Sequence, residues 1–325
     1  MKRNQAGKIR VHYWNTSPMP VDLRLSILKV LAYFDIFRYP LARSEILSFL
    51  EQPANENEFS WALEELVREN YVFLHQQFYA ISNDKNLACR RTNGNLRAQA
   101  MVQKGKKISR MLFQMPYVRA IGISGSLSKN FAAEDADIDY FIIARANRLW
   151  IARTLMHLIK KISFLTGRQH WYCMNYYIDE QALEIEEKNL YTAIELITLV
   201  PACGRSSLKT FFKENAWAKD FYPNYCSGLS VADEPERDSV VKRAGEWLLG
   251  GWVGDRLDDY FMRITSRRWK KKEISGRTSA GGRLMSLSTG KHFARPNPVF
   301  LQQDILRAYQ KRLQTLTFQH NEAVH

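Results

Sequence analysis

Over residues 21–34 (VDLRLSILKVLAYF), Leu25, Leu28, Val30, Leu31 and Phe34 recur at helical spacing, and the same pattern returns over 43–50 and 57–69 after short breaks. Two β-prone runs then flank His75-Gln76-Gln77 in YVFLHQQFYAI, which predicts a small hairpin. Residues 85–115 read as a basic helix or helix pair leading into Pro116, so 85–117 is expected to be a solvated helical connector. From Val118 the texture changes to strand, small-residue turn, helix and strand, which predicts a mixed α/β core over 118–186. Beyond Glu187 the pattern is mostly helical, with helices expected over 190–199, 207–216, 240–260 and 300–316 in a C-terminal region of 187–325. Within it, 263–295 is a Gly/Ser-interrupted basic tract, read as a loop that is either simply solvated or binds anions.

Three helices followed by a hairpin is the order of a winged helix, so residues 1–84 are expected to form a winged-helix-like domain. The fold class is then α+β. A winged helix suggests DNA, because its third helix can lie in the major groove. Here that segment, EFSWALEELVREN, carries Glu58, Glu64, Glu65 and Glu69 against Arg68 alone, and phosphates repel such a surface. Packing or partner docking is the favoured role.

Composition narrows the field. With 46% apolar and 25% charged residues in 325, a folded chain of two or three domains is expected. A net charge of +14 draws polyanions, whether nucleotide phosphates, nucleic acid or acidic membranes, without choosing among them. Cys89, Cys173, Cys203 and Cys226 show no Cys-x-x-Cys pairing, so neither a zinc site nor a disulfide framework is indicated. No apolar run of signal-peptide length precedes Pro18, and Arg153, Lys160, Lys161 and Glu195 interrupt the most apolar stretches. A cytoplasmic protein without a membrane span is expected.

The chemistry-bearing segment is AIGISGSLSKNFAAEDADIDYFII, residues 120–143. An apolar strand enters Ser124-Gly125-Ser126, a turn and short helix follow, and Asp137-Ile138-Asp139 opens a second apolar strand. Alternate side chains of a strand share a face, so Asp137 and Asp139 project together and need a counter-charge. Mg²⁺ meets that need, since it takes carboxylate and phosphate oxygens. Gly125 permits close backbone approach, and the amides after Ser126 offer donors to a phosphate.

These residues resemble the signature of the nucleotidyltransferase superfamily typified by DNA polymerase β and the antibiotic nucleotidyltransferases: Gly, then Gly or Ser, a gap of about ten residues, and Asp-apolar-Asp. The resemblance covers about 118–178, with Ser124 where an apolar residue is common. It implies a polymerase-β-like core that moves a nucleoside monophosphate from an NTP, with ATP the expected one, to an acceptor hydroxyl and releases pyrophosphate. Asp137 and Asp139 would hold two Mg²⁺ ions. Gly125 and Ser126 would meet the triphosphate, and Ser128 and Lys129 could add a hydroxyl and a charge, although Lys129 also reads as a surface lysine.

Such enzymes supply a third carboxylate from a following strand. In WYCMNYYIDE the mid-strand polar residue is Asn175, so Asp179 is taken as the catalytic substitute, with Glu195 the other choice. His170 and His292 are read as structural, and Tyr172, Tyr176 and Tyr177 as packing the sheet. The competing reading is a nucleic-acid-binding regulator or nucleotide sensor with a degenerate transferase fold; polymerase-like addition to RNA is a third. Nucleic acid is a possible partner but not the favoured one, and the acceptor is not specified.

Overall fold

The computed structural model describes residues 21–226, 237–276, 285–298 and 301–322. The N-terminal unit contains α1 (Val21–Asp35), β1 (Leu41–Ala42), α2 (Arg43–Ser48), α3 (Glu56–Arg68), β2 (Phe73–His75) and β3 (Phe78–Ala80). Of the apolar positions named in the first helix, Leu28, Val30, Leu31 and Phe34 are buried and Leu25 partly so, while Ile27, Ile46, Phe59 and Leu66 are fully enclosed. Asn55 caps α3 by accepting from Asn57 N at 2.9 Å, which satisfies one of the donors a helix start leaves free. The hairpin turns at Gln76, in the left-handed region, and β1 adds a third antiparallel strand in the order β1-β3-β2. The solvent side of α3 presents Glu58 and Glu64.

The following segment differs from the expected solvated connector. It is one helix, α4 (Asn86–Phe113), whose Ile108, Leu112 and Phe113 are buried against the central sheet. Its Arg91 is almost fully buried, and the charge is satisfied: the guanidinium donates to Pro40 O and to Glu45 Oε1, both at 2.6 Å, and lies 3.9 Å over the Tyr39 ring. Basic residues at the exposed positions of α4 hide this inward face from a reading of composition.

Six strands form one mixed sheet in the order β7-β4-β5-β6-β9-β8. Its centre is β4 (Val118–Ile123), antiparallel to β5 (Asp139–Ala144), which is parallel to β6 (Cys173–Asp179) through the crossover helix α6 (Leu149–Phe164). The sheet therefore extends beyond the expected core of 118–186 and takes strands from the mostly helical region expected over 187–325. β7 (Val200–Cys203) pairs with β4, β9 (Phe293–Pro298) pairs with β6, and β8 (Met285–Thr289) pairs with β9. The reason is backbone satisfaction: residues 118–186 alone would leave both outer strands with unpaired N–H and C=O groups.

The C-terminal helices are α7 (Leu190–Ile197), α8 (Arg205–Glu214), α9 (Ala218–Phe221), α10 (Val240–Leu248), α11 (Gly251–Ile274) and α12 (Leu301–Glu322). The single helix expected over 240–260 is broken at Gly250-Gly251, where Gly251 takes a positive φ. The expected basic loop is likewise replaced: its first part is the end of α11, its last part is the β8–β9 hairpin, and 277–284 lie outside the described residues. α12 returns to α1, with the Tyr309 and Tyr33 rings edge to face and an Arg312–Asp35 ion pair. Among the described residues, no helix is long and apolar enough to cross a membrane.

Candidate active site

The register of the sheet brings the two halves of the motif together. Ile123 pairs with Tyr140, so the chain leaving β4 emerges beside the start of β5, and Ser124 N donates to Asp139 O at 3.0 Å. Gly125 has φ +69°, and a Cβ there would stand 2.5 Å from Asp139 Oδ2. The glycine thus permits both the turn and the seating of a carboxylate directly against the backbone.

The short helix α5 (Gly125–Ser128) completes the turn. Ser126 is exposed at its start. Ser128 Oγ donates to Gly125 O at 2.9 Å and lies 3.2 Å from Thr198 Oγ1. Lys129 folds back, donating to Gly125 O at 3.1 Å and to Glu195 Oε1 at 2.8 Å. It is therefore not a free surface lysine.

Asp137 is exposed, Ile138 is fully buried and Asp139 is partly buried, which is the alternation expected of them. Burial raises the Asp139 carboxyl from its ordinary 3.8 to about 6, and the neighbouring charges of Asp137 and Glu195 push the same way against Cys173 and Lys160. Burial, rather than the nearby charges, is the largest cause of the shift at Asp139.

β6 contributes through an irregularity. Tyr140 pairs with Met174 and Phe141 with Tyr176, so Asn175 is the extra residue of a β-bulge. The bulge aims its side chain at Asp139, to which Asn175 Nδ2 donates at 2.6 Å. Burial, with the Asp139 charge next, pushes the Cys173 thiol up to about 12, so Cys173 stays protonated and donates to Asn175 Oδ1 at 3.2 Å. That contact sets the amide orientation and leaves the Nδ2 side for Asp139. Lys160 of α6 lies 3.8 Å from Cys173 Sγ.

Asp179 does not join this group. β5 and β6 are parallel, with Asp139 opposite Cys173 and Ala144 opposite Asp179, so Asp179 sits at the far end of the sheet, ~20 Å away at the usual strand rise. Its carboxylate is fully buried and occupied by Asn147 N at 2.9 Å, Gln181 N at 3.0 Å and His292 Nδ1 at 2.9 Å. Asp179 ties β6 to its neighbours, and the expectation of a catalytic third carboxylate there is corrected. The further acid that the fold brings to the pair is Glu195, which Lys129 already neutralises.

Lys160, Cys173 and Thr198 complete the surroundings and had no motif to mark them. The alternation of Cys173 with Asn175 was the available signal, and it identifies a shared strand face without identifying what that face meets. Among the described residues, no group of three or more His, Cys, Asp or Glu is arranged to hold a metal ion. Comparison with family models, curated proteins and solved structures finds no match to the chain.

The residues nevertheless fit a hard divalent cation. Two adjacent carboxylates, one exposed and one partly buried, offer oxygen ligands, and Mg²⁺ characteristically takes one or two carboxylates together with substrate phosphates.

Proposed function

We propose that the protein is a Mg²⁺-dependent nucleotidyltransferase that moves a nucleoside monophosphate from an NTP, with ATP the first choice, to an acceptor hydroxyl and releases pyrophosphate. The observation that carries this reading is the seating of Asp139 against the left-handed Gly125, with Asp137 exposed beside it. This apposition explains why a glycine turn and an Asp-Ile-Asp strand start occur together.

In this reading Asp137 and Asp139 would hold Mg²⁺, which would supply positive charge to the triphosphate and to the acceptor oxygen. Gly125 keeps the backbone clear for the phosphates, and the exposed Ser126 hydroxyl donates to one of them. Ser128 holds the turn through Gly125 O and Thr198. Lys129 exchanges Glu195 for the triphosphate, which frees the Glu195 carboxylate to accept the proton of the acceptor hydroxyl. The acceptor oxygen forms its bond to the α-phosphorus while the bond to the pyrophosphate oxygen breaks.

The test is incubation with each α-labelled NTP, Mg²⁺ and a cell extract, followed by separation of labelled small molecules, RNA and protein. Transfer is expected, with a loss of about 10³-fold or more in Asp137→Asn and Asp139→Asn. Wild-type turnover in either variant overturns the assignment.

A second reading, a nucleotide sensor on a degenerate transferase fold, is favoured by Asn175 standing beside Asp139 as a hydrogen-bond donor. It predicts Mg²⁺·NTP binding, read as a rise in Tm that EDTA removes, without labelled product. DNA reading by the N-terminal unit draws no support from the acidic face of α3.

A further inference from the structure

The C-terminal half of α6 carries an apolar stripe turned toward solvent. Leu158, Ile162 and Phe164 are each more than half exposed, and Leu165, just past the helix end, is 87% exposed. Leu158, Ile162 and Leu165 stand at i, i+4 and i+7, on one face. Soluble surfaces seldom leave such a row uncovered. The segment 149–168 contains Arg153, Lys160, Lys161 and Arg168 and no acid.

Beside it lies the end of α11. The two helices run in the same direction: Ile151 N donates to Asp258 at 2.9 Å, and further along Arg153 lies 4.6 Å over the Trp269 ring. From residue 263 to 274, α11 bears Arg263, Arg267, Arg268, Lys270, Lys271 and Lys272 against Glu273 alone, and Ile274 is 78% exposed at its end. None of these six bases forms an ion pair with an acid among the described residues. With Arg153 over Trp269, and Lys272 acting together with Lys160 and Lys161 on His157, the residue before Leu158, the basic end of α11 lies beside the apolar stripe of α6.

We propose that the C-terminal end of α6 and the adjoining end of α11 form a docking face for an anionic phospholipid bilayer. Aliphatic and aromatic side chains enter the interfacial layer, and the exposed bases meet lipid headgroup phosphates, the combination that holds a protein on a membrane surface. Nucleic acid would use the bases but gives the aliphatic stripe no partner. A second copy across a two-fold axis would set one basic cluster against another. The same face borders the candidate site, because Lys160 reaches Cys173 and through Cys173 the Asn175–Asp139 pair. The docking proposal does not depend on catalysis, and its readout is binding alone.

The test is co-sedimentation of the full chain with phosphatidylcholine vesicles, with and without phosphatidylglycerol. Binding to the anionic vesicles only is expected, weakening as salt rises. Lys270→Glu/Lys271→Glu/Lys272→Glu should weaken it by about a hundredfold. Leu158→Glu/Ile162→Glu, or the milder Leu158→Ser/Ile162→Ser, should weaken it by about tenfold or more with an unchanged circular dichroism spectrum. Absence of wild-type binding to anionic vesicles overturns the proposal, as does binding that ignores both apolar double variants. Tighter retention on RNA than on vesicles assigns the face to nucleic acid, and a dimer broken by Leu158→Glu/Ile162→Glu without vesicle binding assigns it to a second copy; either result also overturns it.

Discussion

Gly125 bears the tightest steric condition in the site, since it must adopt φ +69° and leave room for the Asp139 carboxylate. In Gly125→Ala both demands fail together. Stability is expected to fall by about 1–3 kcal/mol, and the NTP-induced rise in Tm to disappear. Chemical denaturation and thermal melting with Mg²⁺·ATP measure the two effects. Asp139 sets a pH dependence at the same scale. Its carboxyl titrates near 6 in the folded chain and near 3.8 when unfolded, so between these values the folded state binds the extra proton. Stability from this group therefore declines as pH rises through the window, and above about 6 the bare carboxylate is a cost. Without metal, Asp139→Asn should exceed the wild type in stability at pH 7.5, by up to about 2–3 kcal/mol, and lose that advantage at pH 4. Metal competes with the proton, so Mg²⁺·NTP affinity should weaken as pH falls through 6, which titration calorimetry at several pH values reads.

At the scale of elements, β6 does two unrelated jobs at its two ends. Its first residues, Cys173 and the bulged Asn175, face Asp139, whereas its last, Asp179, holds the Asn147, Gln181 and His292 donors. Asp179→Ala removes one acceptor shared by three partly or fully buried donors and should cost about 3 kcal/mol or more. Any nucleotide transfer, measured below the lowered Tm, should be retained, in contrast to Asp139→Asn. This separation was illegible in WYCMNYYIDE because a strand shows which side chains share a face and not how far apart its ends lie. The Asp137-Ile138-Asp139 pairing was legible because it depends only on strand alternation. Asn175 was identified from its mid-strand place, but its donor role required Cys173 and the bulge, neither of which a spacing rule encodes.

Across the whole molecule, the N-terminal unit is fastened to the rest at several points. Tyr39 OH donates to Lys129 O behind the candidate site, Asn224 Nδ2 donates to Gln52 O at 2.7 Å, and Tyr309 of α12 packs on Tyr33 of α1. One continuous cluster of buried side chains runs from Leu23 of α1 through Phe141 of β5 to Leu316 of α12. Unfolding is therefore expected to be a single transition, with tryptophan fluorescence and far-ultraviolet circular dichroism coincident in denaturant. Two resolved transitions would show that residues 1–84 are an independent domain.

Local periodicity by itself determined the helices of the N-terminal unit, the hairpin at Gln76, the strands on either side of Gly125 and the acidic pair, since each depends on neighbours a few residues apart. Only the tertiary structure decided that α4 is a core helix, that β7 and β9 close the sheet, that Asp179 is remote and that Lys129 meets Glu195. Those outcomes depend on pairings between residues far apart in the chain, where satisfying a strand edge or a buried charge selects the partner. A basic tract shows its charge in the sequence, but whether that charge is a loop or one flank of an exposed apolar stripe is fixed by which helix packs beside it.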